Sequence, residues 1–272
     1  MATIVGWLGL GTIGLPMAAR LVKAGYEVRG YDIDAQRRSA AAARGIAVTE
    51  KLEGAELLFT SMPTEQALLD LVKGLKHDGA LLVETSTIGP EASKKVAQAV
   101  GPYLRAPISG STALAEAGTL TVFASGPRAA FDRAQPALAA FSRAQIWLGE
   151  GEEARYAKLA VNLMVAVSAG MMGEALALAT RGGIGWEAML DVIGESVVAS
   201  PLVKYKVDPL KRRDFSPAAT NALVKKDVDL IVAAAQAAGV AVPLAQHMQS
   251  IYSDMLAAGR GGEDFFSVAA GP

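Results

Sequence analysis

The chain of 272 residues has no cysteine and only two histidines, and its acidic and basic residues nearly cancel, giving a formal net charge of -1. Without cysteine there is no disulfide, no thiolate nucleophile and no zinc site built on sulfur, although the absence does not choose a compartment. The balance of 26 Lys and Arg against 27 Asp and Glu leaves no basic field to hold nucleic acid, so none is expected as a partner. No group of carboxylates and histidines has ligand spacing, and no metal is expected. His77 lies in a polar turn, His77-Asp78-Gly79, and reads as solvated; His247, among Gln246 and Gln249, has no chemical partner nearby in sequence. Met1 to Val5 carries no basic segment ahead of its apolar run, which predicts no secretory signal and a cytoplasmic enzyme.

One long apolar run is present. Leu159 to Ala179 approaches the ~20 residues that a bilayer crossing needs. It contains Asn162, Ser168 and Glu174, starts beside Lys158, and has neither a second such segment nor an aromatic belt to accompany it. It reads as a buried helix of a soluble protein, packed on all sides, and no membrane is expected as a partner.

The first half alternates short β-rich runs with helical patterns, the signature of a mainly parallel sheet. Strands are predicted at Ile4 to Leu8, Glu27 to Tyr31, Leu57 to Thr60, Ala80 to Val83, Tyr103 to Ala106, Leu120 to Ala124 and Ile146 to Leu148. Helices are predicted between them at Leu15 to Ala24, Ala35 to Arg44 and Glu65 to Leu75. After Gly149-Glu150-Gly151 the strand-like runs give way to Ala- and Leu-rich helical patterns at 153–181, 186–193, 221–238 and 242–257. The pattern predicts an α/β domain over residues 1–151 and an all-α domain over 152–272, with 259–262 and 269–272 frayed.

Gly9-Leu10-Gly11-Thr12-Ile13-Gly14 is a G-x-G-x-x-G that follows a strand and opens a helix. The first glycine permits a tight turn, the second lets backbone approach a pyrophosphate, and the third lets helix and strand pack closely. Asp32 ends the second strand at about the ~20-residue offset of an acid that bonds adenosine ribose hydroxyls. A carboxylate there repels a 2′-phosphate and favours NAD, while Arg37 and Arg38 a few residues on leave NADP possible. Two loops, Thr60-Ser61-Met62-Pro63 and Thr85-Ser86-Thr87, follow strands where such a sheet presents its ends to ligand; helix-capping turns are the alternative reading of both.

This order of motifs resembles the β-hydroxyacid dehydrogenases over nearly the whole chain. The resemblance rests on Gly9 to Ala18, Thr85-Ser86-Thr87-Ile88-Gly89-Pro90, Ala106-Pro107-Ile108-Ser109-Gly110, Gly118-Thr119-Leu120-Thr121, Gly149-Glu150-Gly151, Lys158, Asn162 and Lys226-Asp227. It implies a Rossmann-type doubly wound sheet joined by a long helix to an all-α domain, with a substrate cleft between the two. It implies Lys158 as catalytic acid/base, Asn162 orienting substrate, Ser109 and the Gly110 backbone holding a carboxylate, and Lys226 near substrate and cofactor. Thr12, Ile13, Met62, Pro63 and Thr87 join Gly9, Gly11, Gly14 and Asp32 as expected cofactor contacts.

The residues support the centre of this expectation. Lys158 and Asn162 are four apart, so both project from one helical face. A lysine takes a hydroxyl proton at neutral pH if desolvation lowers its pKa from ~10.4 toward ~7–8. A helix-start lysine paired with Glu152 or Glu153 is the plainer alternative, and for Lys226 a solvated charged face. Arg212-Arg213 read as exposed structural residues and Met171-Met172 as packing. Departures from the family pattern occur at Arg105, where an acid is common, and at Ser111, Val161 and Ala218-Ala219. All are expected around the substrate. The expected activity is hydride transfer between NAD(H) and a small β-hydroxy acid or its semialdehyde by a homodimer or larger homo-oligomer. An imine reductase on the same architecture, or a non-catalytic NAD(H)-sensing protein, stands as the alternative.

Overall fold

The computed structural model describes residues 3–75 and 79–271; the turn expected at His77 lies outside the described residues. Residues 1–158 and 159–272 form two compact units.

The N-terminal unit runs β1 (Ile4–Leu8), α1 (Gly14–Lys23), β2 (Glu27–Tyr31), α2 (Ala35–Ala42), β3 (Ala47–Val48), β4 (Leu57–Thr60), α3 (Glu65–Gly74), β5 (Leu81–Glu84), α4 (Pro90–Ala99) and β6 (Tyr103–Arg105). These strands make one six-stranded parallel sheet in the order β3-β2-β1-β4-β5-β6. The order reverses direction beside β1, and ligands of doubly wound sheets lie at the strand carboxyl ends near such a switch. Every residue of β4 and β5 is buried, as expected of inner strands covered by helices on both faces. On one face Trp7 stacks on Phe59 at 5.0 Å, and Phe141 meets both edge-on at 6.1 and 5.9 Å. On the other, Leu8, Leu58 and Leu82 pack with Leu68 and Val96 of α3 and α4.

A second sheet follows, made of β7 (Ile108–Ser109), β8 (Leu120–Ala124) and β9 (Ser142–Trp147), with α5 (Thr112–Ala117) and α6 (Arg128–Ala139) interleaved. β8 pairs antiparallel with β7 and parallel with β9. β9 starts before the apolar residues that predicted it, because only Ser142 of its six is buried and the strand carries little hydrophobic signal. The edge strand β3 is exposed at both residues and has no such signal at all.

The 29-residue helix α7 (Glu153–Arg181) begins in the N-terminal unit and continues into the C-terminal one. The two compact units meet within α7, the first turns of which are bound to the N-terminal unit. The C-terminal unit adds α8 (Trp186–Glu195), α9 (Pro201–Lys211), α10 (Asn221–Ala237) and α11 (Pro243–Ala257). α7 is long and apolar enough to cross a membrane by length and composition, with a third of its most apolar window buried within the chain. It is not buried all round. Ala166, Ala169, Met172 and Leu176 enter the core of this unit, while Met164, Met171 and Leu178 on the opposite stripe are 69%, 58% and 76% exposed. The expectation of packing therefore holds for Met172 and not for Met171.

Residues 259–262 and 269–271, expected to fray, are ordered. Phe265–Ala270 forms a 3-10 helix whose Phe265, Phe266, Val268 and Ala269 are buried, and Ala222 N–H donates to the Gly261 carbonyl at 3.0 Å. Two adjacent phenylalanines supply the apolar area that glycines on either side obscure in the sequence. A buried ion pair fixes this helix: Lys206 Nζ donates to Asp264 Oδ2 at 2.6 Å. Asp264 also accepts from Ala218 N–H at 3.0 Å and Phe266 N–H at 3.1 Å. Arg213, at φ 53, lies over the Trp186 ring at 3.8 Å and is a structural residue, as expected.

Removing one member of a buried pair costs about 3–5 kcal/mol because the other is left uncompensated. Asp264→Ala should lie in that range by urea unfolding, since it strands Lys206 and two N–H groups. Lys206→Met should cost clearly less, because Asp264 keeps two donors. Equal losses would show that those amides contribute nothing.

Candidate active site

The three glycines of the turn have three different reasons. Gly9 has φ +90, and a Cβ there would stand 2.2 Å from the Ser61 carbonyl oxygen. At Gly14 a Cβ would stand 2.0 Å from the Gly9 carbonyl oxygen. Nothing in the chain explains Gly11: its φ is ordinary, and a Cβ would meet nothing nearer than the mobile end of Arg37 at 3.6 Å. The missing side chain instead keeps a surface open. Behind it, α1 has no capping side chain and no acid in its first turn, Leu15 N–H donates to the Gly11 carbonyl at 3.0 Å, and Pro16 has no N–H to satisfy. Open backbone at a helix N-terminus suits a pyrophosphate, and the turn fits a dinucleotide. Thr12 is exposed and Ile13 takes the N-cap position.

Asp32 is buried at the end of β2 and does more than the sequence implies. Its Oδ2 accepts from Leu10 N–H at 2.8 Å and its Oδ1 from Asp34 N–H at 2.9 Å, so it also ties the glycine turn to the next loop. Oδ1 retains a lone pair for a ribose hydroxyl, whereas Oδ2 also accepts from Arg37. Arg37 reaches back to within 3.5 Å of Oδ2, and Arg38 Nη1 is spent on the carbonyls of Asp32 and Ile33 at 2.8 and 2.9 Å.

The two loops after β4 and β5 are bound to each other. Met62 N–H donates to Ser86 Oγ at 2.7 Å, and the Thr85 hydroxyl donates to the Thr60 carbonyl at 2.7 Å. Thr64 caps α3 by accepting from Ala67 N–H, so the capping reading of that loop is also right one residue beyond Pro63, which is exposed. Thr87 is half-buried in a run, Leu81 to Pro90, that is otherwise buried.

Beneath these loops lies a polar core. Arg155 and Glu84 are fully buried and paired, and Arg155 also donates to the Ser86 carbonyl at 2.9 Å, the Tyr103 hydroxyl at 2.8 Å and Ser93 Oγ at 3.3 Å. Desolvation opposes charge on Arg155, but its bonds to Tyr103 and Glu84 outweigh it and hold the guanidinium above its ordinary value. Burial pushes the Tyr103 phenol up, so it stays neutral. Arg105, expected near the substrate, is turned into this core, donating to Glu152 Oε1 at 2.5 Å and Ser93 Oγ at 3.2 Å and lying over the Tyr103 ring at 4.7 Å. Its burial follows from having a carboxylate partner at the start of α7.

Lys158 is half-buried on α7, one turn before Asn162. Of the acids expected as its plainer partners, Glu152 Oε1 accepts from Arg105 and Glu153 Oε2 from the Gly151 N–H at 2.7 Å. Asn162 Nδ2 donates to Asp227 Oδ2 at 2.8 Å, and Lys226 Nζ lies 3.1 Å from Asp227 Oδ1. Asp227 thus joins two residues that the sequence singled out separately, and only its place in the Lys226-Asp227 pair signalled it. Ser109 pairs with Thr121 at the end of β7, and Gly110, at φ +141, turns the chain toward α5. His247 is exposed on α11. Among the described residues no cluster of three or more metal-ligating side chains occurs.

Residues 4–149 match the family described as the NAD binding domain of 6-phosphogluconate dehydrogenase, and residues 152–270 match NAD-binding of NADP-dependent 3-hydroxyisobutyrate dehydrogenase. A probable mitochondrial 3-hydroxyisobutyrate dehydrogenase of Arabidopsis thaliana is 30% identical, covering 97% of this chain and 86% of the plant protein. The chain belongs to the β-hydroxyacid dehydrogenase family. Within that family, the solved Mycobacterium tuberculosis 3-hydroxyisobutyrate dehydrogenase with L-serine matches at a TM-score of 0.89, with 29% identity over 99% of both chains. An imine reductase from Pseudomonas sp. has the same fold at a TM-score of 0.64 and 20% identity, covering 98% of each chain. The family membership makes the N-terminal unit an NAD(P)-binding domain and the chain an oxidoreductase.

The sequence did not point to Glu84 or Arg155. The glycines yield a direct test. Gly11→Ala should leave thermal stability nearly unchanged and weaken NADH binding at least tenfold by fluorescence titration, whereas Gly14→Ala should lower the melting temperature or abolish folding. A Gly11→Ala protein that binds NADH normally would mean that the open surface is not used.

Proposed function

We propose that the chain interconverts a small β-hydroxy acid and its semialdehyde, with NAD(H) preferred to NADP(H), Lys158 as the acid/base, and Asn162, Ser109 and Gly110 fixing the substrate. The observation that carries the reading is a glycine turn left open at Gly11, in a family of hydroxyacid dehydrogenases, combined with a half-buried lysine on α7. The bound nicotinamide supplies the hydride acceptor in oxidation and the hydride donor in reduction. Lys158 Nζ takes the substrate hydroxyl proton as the C–H bond is broken, and returns it in the reverse direction. The Ser109 hydroxyl and the Gly110 N–H donate to the substrate carboxylate. Asn162 orients the reacting end, held by Asp227 at 2.8 Å, and Lys226 lies beside the same carboxylate.

Asp32 supports the choice of NAD, because a 2′-phosphate would be brought against a buried carboxylate. Arg37, 3.5 Å from that carboxylate, works against it and keeps NADP(H) usable. Lys158 favours hydroxy-acid over imine chemistry, since imine reductases commonly lack a lysine at this place. Serine and 3-hydroxyisobutyrate are of the right class, both being short acids with a β-hydroxyl.

The test is a panel of L-serine, 3-hydroxyisobutyrate, glycerate, tartronate semialdehyde and a sulfonate analogue with each nicotinamide, read by absorbance. Turnover should be higher with NAD(H), and Lys158→Ala should lower kcat by about 10²–10⁴-fold with NADH affinity retained. NADH binding without turnover of any compound would favour a sensing role, and turnover restricted to NADP(H) would overturn the cofactor preference.

We further propose a homodimer or larger homo-oligomer that covers the stripe of Met164, Met171 and Leu178, spaced every seventh residue along α7. Sedimentation velocity should give a dimer or larger species, and Met171→Glu should shift it toward monomer. A monomeric parent protein would refute the assembly.

A further inference from the structure

A buried arginine–carboxylate pair is a costly way to hold a helix, since apolar residues of similar volume are often as stabilising. What such a pair adds is geometry. The guanidinium is a rigid planar fork with donors in fixed directions, so it fixes rotation and translation where apolar contacts allow a helix to slide.

Arg155 is placed to use that property. It lies three residues before Lys158 on α7, within the same compact unit, and is fully buried. Its donors reach three elements at once: Ser86 in the loop after β5, Ser93 on α4 and Tyr103 on β6, besides Glu84 at the end of β5. Ser86 is clasped from both sides. Its N–H donates to Glu84 Oε1 at 2.6 Å, its carbonyl accepts from Arg155 at 2.9 Å, and its hydroxyl accepts from Met62 N–H. The loops at Met62 and at Thr87, and the turn of α7 that leads to Lys158, are therefore joined through one guanidinium. Arg105 and Glu152 add a second tie at the start of the helix, and Ser125 Oγ accepts from Ala154 N–H at 3.2 Å.

We propose that Arg155, held by Glu84, is a positioning residue that sets the amine of Lys158 against the loops on which the nicotinamide is read to lie. A shift of about 1 Å in a reacting group costs roughly 10²-fold in rate. A lysine on a long flexible side chain depends on its helix being fixed, and the fork of Arg155 fixes it. The inference rests on Lys158 being the proton carrier.

Arg155→Lys keeps the charge opposite Glu84 but cannot satisfy Ser86, Tyr103 and Ser93 together. With the hydroxy acid turned over fastest in the panel, kcat should fall at least 30-fold, on the order expected of such a displacement. KM and NADH affinity should change less than threefold. Added to Lys158→Ala, the same substitution should produce no further loss, because it acts through that amine. The neutral pair Glu84→Gln/Arg155→Met, which leaves no buried charge uncompensated, should be folded and behave likewise. The proposal is overturned if either variant keeps kcat within twofold of the parent, if the losses with Lys158→Ala multiply, or if both variants fail to fold, which would make the pair purely structural. Lys158→Ala retaining activity would remove the acid/base reading itself; a dead Lys158→Ala beside a normal Arg155→Lys would remove only the positioning role.

Discussion

A Cβ at Gly14 would stand 2.0 Å from the Gly9 carbonyl oxygen, so the first turn of α1 is pressed onto the end of β1 with no room for a methyl group. Much else depends on that contact. It lets α1 begin directly after the carboxyl end of β1, with no side chain capping it. It also brings Leu10 N–H within reach of Asp32, which then locks β2 to the turn. A looser turn would separate the helix terminus from the acid, and the two ends of a dinucleotide site would no longer be set by one piece of backbone.

The parts of the fold that could be read in the sequence are those where local pattern and tertiary role coincide. β1, β2, β4 and β8 were legible to the residue: β1 and β4 as nearly continuous apolar runs of a covered sheet, β2 and β8 by an alternation of buried and less buried residues. β3 and β7 are two residues long with neither buried, and only Ser142 of β9 is buried, so these strands give no such signal. The C-terminal segment misled for a different reason. Its glycines and short length suggested fraying, while its order comes from Lys206, a residue 58 positions away in sequence. Ion pairs of that kind leave no trace in local pattern.

The same limit governs the candidate site. Lys158, Asn162 and the glycines stand in recognisable motifs, whereas Glu84 and Arg155 look like ordinary charged residues and meet across 71 positions. Arg105 was read as a change near the substrate because a charge in an unusual place invites that reading. Its partner Glu152, 47 positions on, turns it into part of the buried core. α7 carries both kinds of information: a first turn of buried charge, then an apolar helix with one covered and one open face.

Asp32 has a consequence for how this protein could change over generations. Its carboxylate, proposed to discriminate against a 2′-phosphate, also ties the glycine turn to the next loop by accepting from Leu10 N–H in the one and Asp34 N–H in the other. A lineage drifting toward the phosphorylated cofactor could not simply discard the acid, since the turn would lose its brace at the same stroke. The easier path leaves the acid in place and works on its neighbour Arg37, half in solvent and paired otherwise with the exposed Asp34 at 3.8 Å. Specificity here is thus coupled to foldability at one position and uncoupled from it five residues later.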